Sequence, residues 1–254
     1  MNTIKKTALI TGASKGFGFE LALALANKGW KLIINSRNAS ILLKAQRKLE
    51  KITEVVAISG DVRDEIHLLQ FPERLNQLDW KLDLVVNNAS TLGASPQPPL
   101  LDYDINSIHN IFHTNVIAPL SLIQKLQPNL SPNATIINIS SDAAINAYEG
   151  WGGYSASKAA LDHMTDILGK ENPNLRVFSF DPGDMRTDLH QAAFPNENIE
   201  DRPLPKEIAV PSILQLIDNQ SIKTGRHIAS EVKTNPIVNT RLSHLDFKYN
   251  HLTK

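Results

Sequence analysis

Thr7-Ala8-Leu9-Ile10-Thr11-Gly12-Ala13-Ser14-Lys15-Gly16-Phe17-Gly18 is the stretch on which the fold turns. Thr7 to Ile10 is a short apolar run that reads as a buried strand. Glu20 to Lys28 is rich in helix formers, and Gly29 follows as a C-terminal cap. A glycine turn between strand and helix brings backbone close to a ligand and aims the helix N-terminus at it. That arrangement suits the phosphates of a dinucleotide. The spacing Gly12, Gly16, Gly18 is looser than G-x-G-x-x-G, and taken alone it also fits an ordinary tight turn.

The alternation begun there continues along the chain. Strands are expected at 31–35, 55–58, 84–87, 135–139 and 176–180, with helices at about 17–28, 40–51, 64–78, 104–127 and 153–170. Continuous apolar strands separated by helices imply a parallel sheet covered on both faces. No internal repeat or linker divides the chain, so residues 1–254 read as a single domain. Residues 184–205 contain Pro195, Pro203 and Pro205 with few aliphatics, and are expected to form a lid over a ligand. The polar tail from about 232 to 254 shows no pattern.

Composition excludes several classes of function. Hydrophobic residues make up 42% and charged residues 20%, which are globular values. Lys+Arg and Asp+Glu both total 26, so neither nucleic acid nor an anionic membrane is favoured as partner. The chain has no cysteine and therefore no disulfide, thiol nucleophile or thiolate metal site. Lys5 and Lys6 lead straight into the first strand without an apolar leader, and no apolar run approaches the roughly 20 residues of a membrane helix. A soluble, cytoplasmic protein is expected, with a homo-oligomer left open.

Tyr154-Ser155-Ala156-Ser157-Lys158 carries the chemistry. Side chains four apart on a helix leave it from one face. A phenol with its usual pKa of about 10 is a poor proton donor or acceptor at neutral pH. A cation about 4 Å away, at an effective dielectric near 20, favours the phenolate by up to about 4 kcal/mol. Lys158 is thus expected to lower the tyrosine's pKa toward the range of a general acid-base catalyst. Ser141, at the end of the fifth strand, lies where ligands bind in open α/β sheets, although Ser140 is an equal candidate on position alone. No acid follows the second strand, which reads Asn35-Ser36-Arg37-Asn38, so a carboxylate for the ribose of NAD is missing. Arg37 and Lys15 are instead suited to a 2′-phosphate.

In order, Thr11-Gly12-x-x-x-Gly16-x-Gly18, Asn87-Asn88-Ala89, Asn115, Ser141, Tyr154-x-x-x-Lys158 and Pro182-Gly183 resemble the short-chain dehydrogenase/reductase family from about residue 7 to about 230. The resemblance implies a Rossmann-type doubly wound parallel sheet. It implies a cofactor, NADP(H), bound by Gly12, Ser14, Lys15, Gly16, Phe17, Gly18, Arg37, Asn88, Ala89, Tyr154 and Lys158. Asp61 and Val62 would meet the adenine edge, Pro182 and Gly183 would pass the nicotinamide, and Thr187 would contact its carboxamide or the phosphates. Read without the resemblance, Asp61 is a helix cap. Catalysis would rest on Ser141, Tyr154, Lys158 and Asn115, the last distorting its helix and holding a water for Lys158; by residue type alone Asn115 is a polar residue bending a helix ahead of Pro119. The chain departs at Ser90, where the family usually has glycine and where serine fits a tight turn less easily.

The activity implied is hydride transfer to a ketone or aldehyde with proton delivery by Tyr154. A catalytically weak sensor of the same cofactor is the alternative, and a purely structural protein would need none of these residues. Tyr148, Trp151, Met185, Leu189 and Phe194 are candidates to line a pocket for an apolar or aromatic carbonyl compound. The eight histidines, including His109 and His113, show no spacing suited to a metal.

Overall fold

The computed structural model describes residues 5–232; most of the tail expected at 232–254 lies outside the described residues. The strands are β1 (Thr7–Ile10), β2 (Lys31–Ser36), β3 (Val55–Ser59), β4 (Leu82–Asn87), β5 (Leu130–Ile139), β6 (Arg176–Asp181) and β7 (Gly225–Ile228). The helices are α1 (Gly16–Asn27), α2 (Ala39–Leu49), α3 (Glu65–Leu78), α4 (Ile105–Phe112), α5 (Ala118–Leu126), α6 (Gly152–Glu171), α7 (Asp188–Ala193) and α8 (Ala209–Asp218). All seven strands are parallel, in the order β3-β2-β1-β4-β5-β6-β7. The order reverses between β1 and β4, the place where open α/β sheets bind ligands.

The period-two side-chain rule explains why the strands are apolar throughout. Ala8 and Ile10 of β1 join Leu32, Ile34, Leu84, Val86, Ile137, Phe178 and Phe180 on one face. Leu9 points the other way, with Ile33, Val85, Ile136 and Val177. The first face is covered by Phe17, Leu21 and Leu25 of α1 and by Ile213, Leu216 and Ile217 of α8. The second is covered by Leu68, Phe71 and Leu75 of α3 and by Leu122 and Leu126 of α5.

The structure departs from expectation in several places. The helix expected over 104–127 is broken by a π-helical turn at His113–Ile117, where the Ala118 amide donates back to the His113 carbonyl. Pro119 has no amide to give, so the carbonyl of Asn115 loses its helical donor. β5 starts earlier than its apolar half, because Leu130 already pairs with Leu82. α8 is an element the sequence does not announce: it is buried almost all round, so no polar stripe marks it as a helix. β7 is another, being four residues long and polar in its middle. The 184–205 segment is no bare loop, since α7 lies within it and the Arg186 amide donates to the Pro203 carbonyl at 2.9 Å.

At the reversal, Asn88 Nδ2 donates to the carbonyls of Thr11 (2.8 Å) and Gly12 (3.1 Å). Thr11 Oγ1 accepts from the amides of Asn88 and Ala89, both at 3.0 Å. Gly12 has φ +66°, and a Cβ on Gly18 would lie 2.5 Å from Asn88 Nδ2 and 2.7 Å from the Gly12 carbonyl oxygen. Gly18→Ala is therefore expected to lower stability by about 1–3 kcal/mol through overpacking, measured as a reduced urea midpoint. An unchanged midpoint would show that the loop can simply move away.

Candidate active site

The strand ends converge on one edge and bring most of the expected residues with them. At the start of α1, Lys15 is the N-cap but makes no side-chain cap, so the first-turn amides remain available to an anion. Gly16 has φ +58°, and a Cβ there would sit 3.7 Å from Thr187 Cγ2, which places Thr187 beside the first turn of α1. Gly183 has φ +70°, and a Cβ there would meet nothing within 4 Å, so the Pro182-Gly183 turn leaves open space. A loop of bare amides, two left-handed glycines and an open turn fit an extended dinucleotide. Thr187 itself caps α7, accepting from the His190 amide at 3.2 Å.

The adenine end is more constrained than the sequence suggests. Arg37 follows β2 and is exposed. Asp61 does not cap α3; Asp64 does, accepting from the Ile66 and His67 amides. Both carboxylate oxygens of Asp61 instead accept from the guanidinium of Arg63, at 2.7 to 3.2 Å. These hydrogen bonds hold the Asp61 carboxyl below its ordinary value, with Arg63 and Arg37 adding attraction. Acceptance from an adenine amino group would need one Arg63 bond to give way. Val62 is buried. Lys15 pairs with Asp188 of α7, so a 2′-phosphate would have to compete for it. Asn88 commits both amide hydrogens to the loop beneath the site, and its contribution is to shape that loop.

Tyr154 and Lys158 leave α6 from one face, 6% and 2% exposed. The Lys158 ammonium lies 5.5 Å from the centre of the Tyr154 ring and donates to the Ile139 carbonyl at 2.7 Å. Burial lowers the Lys158 pKa to about 8, against the attraction of Asp162 and Asp181. The tyrosine moves opposite to expectation. Burial pushes its pKa up; hydrogen bonds from Ser141 and Ser90 pull the other way, and Asp181 and Asp142 reinforce the rise. Desolvation of the phenolate outweighs the help anticipated from Lys158, because that ammonium is turned to a carbonyl.

Ser141 and Ser140 separate cleanly. Ser140 Oγ accepts from Arg226 at 3.0 Å and is buried on the far side of the strand end. Ser141 Oγ faces Tyr154, but it also donates to Asp142 Oδ1 at 2.9 Å. One proton thus has two claimants. Asp142 further accepts from the Tyr148 hydroxyl at 2.7 Å, and that hydrogen bond raises the phenol's pKa.

Asn115 sits in the π turn and ties the site together. Its Oδ1 accepts from Ser90 Oγ (3.1 Å) and the Thr91 amide (2.9 Å). Its Nδ2 donates to the Thr91 carbonyl and to Ser157 Oγ, both at 3.0 Å. Ser157 in turn donates to the Tyr154 carbonyl at 2.7 Å. Ser90 causes no strain: among the described residues only Asp79 and Asn133 are non-glycines with positive φ. Its hydroxyl is a useful donor that glycine would lack.

Of the pocket candidates, Trp151 packs edge-on against Tyr154 (5.8 Å between ring centres), with Tyr148 and Phe194 against Trp151 at 6.0 and 5.5 Å. Met185 is instead partly buried against the hydrophobic core, and Leu189 is exposed. Sequence reading missed Asp142, Arg63, Asp162, Asp181 and Arg226. Asp142 is detectable as the neighbour of Ser141; the others are carried in from separate elements. Among the described residues no three histidines or carboxylates gather as a metal site.

A family model described as short chain dehydrogenase matches residues 6–198. The chain belongs to the short-chain dehydrogenase family, and it is an oxidoreductase by that membership. It is 30% identical over 253 residues to the sepiapterin reductase of Bos taurus, covering 87% of this chain and 92% of that protein. It is 30% identical to the L-xylulose reductase of Caenorhabditis elegans, over 87% of this chain and 92% of that one. A short-chain dehydrogenase from Shigella flexneri, solved with NADP, superposes with a TM-score of 0.80 at 29% identity, covering 88% of this chain and 95% of the other.

The raised tyrosine pKa has a direct readout. An ultraviolet difference titration of the protein alone against Tyr154→Phe should show no tyrosinate from Tyr154 through about pH 10, where ordinary tyrosines ionise. Ionisation of this phenol near neutrality would contradict the dominance of burial.

Proposed function

We propose that the protein is an NADP(H)-dependent reductase that converts a ketone or aldehyde to an alcohol. The observation that carries this reading is the meeting of the Tyr154 phenol, the Ser141 hydroxyl and the Lys158 ammonium at the same C-terminal sheet edge as the uncapped start of α1. The bound nicotinamide supplies the hydride. Tyr154, kept protonated by burial, gives its proton to the carbonyl oxygen. Ser141 turns its hydrogen from Asp142 to that same oxygen and steadies the charge that develops there. Ser90 turns its hydrogen from Asn115 to the phenolate left behind, and Lys158, poised at about 8, is able to return a proton. Asn115 acts at one remove, by fixing the 90–91 turn and the first turn of α6.

Several features support NADP(H) over NAD(H). No carboxylate follows β2, Arg37 is free to approach a 2′-phosphate, and a structural relative was crystallised with NADP. The aromatic row from Tyr148 through Trp151 to Phe194 favours a flat or apolar carbonyl compound, and the 184–205 segment with α7 is the cover over it. Relatives named for reducing sepiapterin and L-xylulose make both compounds, with simple aromatic ketones and aldehydes, the panel to try first. No helix among the described residues is long and apolar enough to cross a membrane.

Tyr154→Phe is expected to abolish NADPH oxidation on any compound the unsubstituted protein reduces, while the cofactor dissociation constant stays nearly the same. Substantial turnover by the phenylalanine variant would remove Tyr154 from the mechanism. Binding of NADPH by the unsubstituted protein without turnover across the panel would favour a cofactor sensor instead. Arg37→Ala should weaken NADPH binding by about 1.5–3 kcal/mol, the contribution of a charge-assisted contact, and leave NADH binding unchanged. Equal losses for both cofactors, read by nicotinamide fluorescence, would show that Arg37 does not read the 2′-phosphate.

A further inference from the structure

Arg226, on β7, donates to four groups near the site. Its Nη1 donates to Ser140 Oγ at 3.0 Å and to Asp162 Oδ2. Its Nη2 donates to the Ser141 carbonyl and to Asp181 Oδ2, both at 2.9 Å. One guanidinium therefore joins the ends of β5 and β6 to the middle of α6. The side chains of Arg226, Asp162 and Asp181 are 19%, 14% and 4% exposed. Asp181 Oδ1 accepts from the Gly183 amide, so the group also fixes the turn that carries Pro182 and Gly183. Asp162 Oδ1 is buried and has no hydrogen-bond partner among the described residues. A single arginine thus answers two buried carboxylates, and the negative charge left over needs another cation. Lys158 lies one helical turn before Asp162, and both Asp162 and Asp181 attract it.

We propose that Arg226 is a positioning residue that locks Asp162 and Asp181 against α6 and takes up part of their charge, so that what remains leaves the buried Lys158 an ammonium still able to release its proton. Two carboxylates then face two cations, and the group is neutral as a whole. Asp162 and Asp181 are the charges acting on Lys158 from α6 and β6, while Tyr154 lies one turn back on α6 and Asp142 and Asp181 act on that phenol. Both carboxylates raise the Lys158 pKa against burial, and Arg226 offsets part of the burial rise on Asp181. Without Arg226 the two acids would repel one another; without either acid, Lys158 would lose its proton more readily. The inference rests on the proposed role of Lys158 in the reaction, but its test needs no substrate or cofactor.

The test follows the ¹³Cε signal of Lys158 with pH in labelled protein, the signal being assigned by its loss in Lys158→Met. The unsubstituted protein should titrate at about 8. Asp162→Asn should titrate lower by about one pH unit or more, and Arg226→Gln higher by a similar amount, as expected for single charges acting in a largely buried site. Arg226→Lys, which restores the charge, should stay near the starting value. General loosening would admit water and raise the Lys158 midpoint in every variant, so the fall in Asp162→Asn separates electrostatic support from a merely structural role. An unchanged or raised midpoint in Asp162→Asn overturns the proposal, as does a folded Arg226→Gln that leaves Lys158 where it was. Should Arg226→Gln not fold, Asp181→Asn takes its place, with a lowered midpoint expected and any other result overturning the idea. Absence of turnover in the unsubstituted protein would refute the reductase reading and leave these titrations unaffected.

Discussion

The clasp between Asn88 and the Thr11-Gly12 carbonyls governs the geometry of the whole strand edge. A sheet whose order reverses leaves a cleft between β1 and β4, and backbone on either side must find partners there. Asn88 supplies them with one side chain, while Thr11 answers with its hydroxyl. The glycine turn is thereby held against β4, and Gly12 and Gly18 can tolerate no side chain because the amide occupies that space. Everything that would touch a dinucleotide is measured from this fixed point.

The other half of the site depends on keeping charge dry. Tyr154 and Lys158 are nearly inaccessible, and burial moves both toward neutrality: the phenol keeps its proton and the ammonium gives its proton up more easily. For a proton donor this is an appropriate resting condition, since the acid is loaded before reaction. Lys158 needs support to stay charged, and that support comes from α6 and β6. Asn115 provides the complementary mechanical restraint, with every polar atom of its amide group in use between the 90–91 turn and α6. The π turn that presents it exists because Pro119 cannot complete the ladder.

Several polar groups of the site are paired within the chain itself. Lys15 holds Asp188, Arg63 holds Asp61, and Ser141 donates to Asp142. Each of these contacts involves a group suited to the cofactor or the carbonyl oxygen. Each partner is itself partly exposed, so exchange involves little desolvation. A binding site lined by solvent-accessible internal pairs can trade them for ligand contacts without opening the core.

Local periodicity and short motifs determined the parallel sheet, the glycine turn, the catalytic tyrosine-lysine pair as candidates and the membership of the family, because each depends on residues within a few positions of one another. The interior proline and asparagine that break the helix at 113–117 were also visible, though the form of the break was not. Tertiary structure alone decided that Ser140 faces Arg226, that Met185 packs against the core, and that Asp61 is bound to Arg63. It alone assembled Asp162, Asp181 and Arg226 around Lys158, and it alone reversed the expected direction of the tyrosine's pKa. The physical reason is that desolvation and charge act through space, so they depend on which distant elements close over a side chain, and no spacing along the chain encodes that.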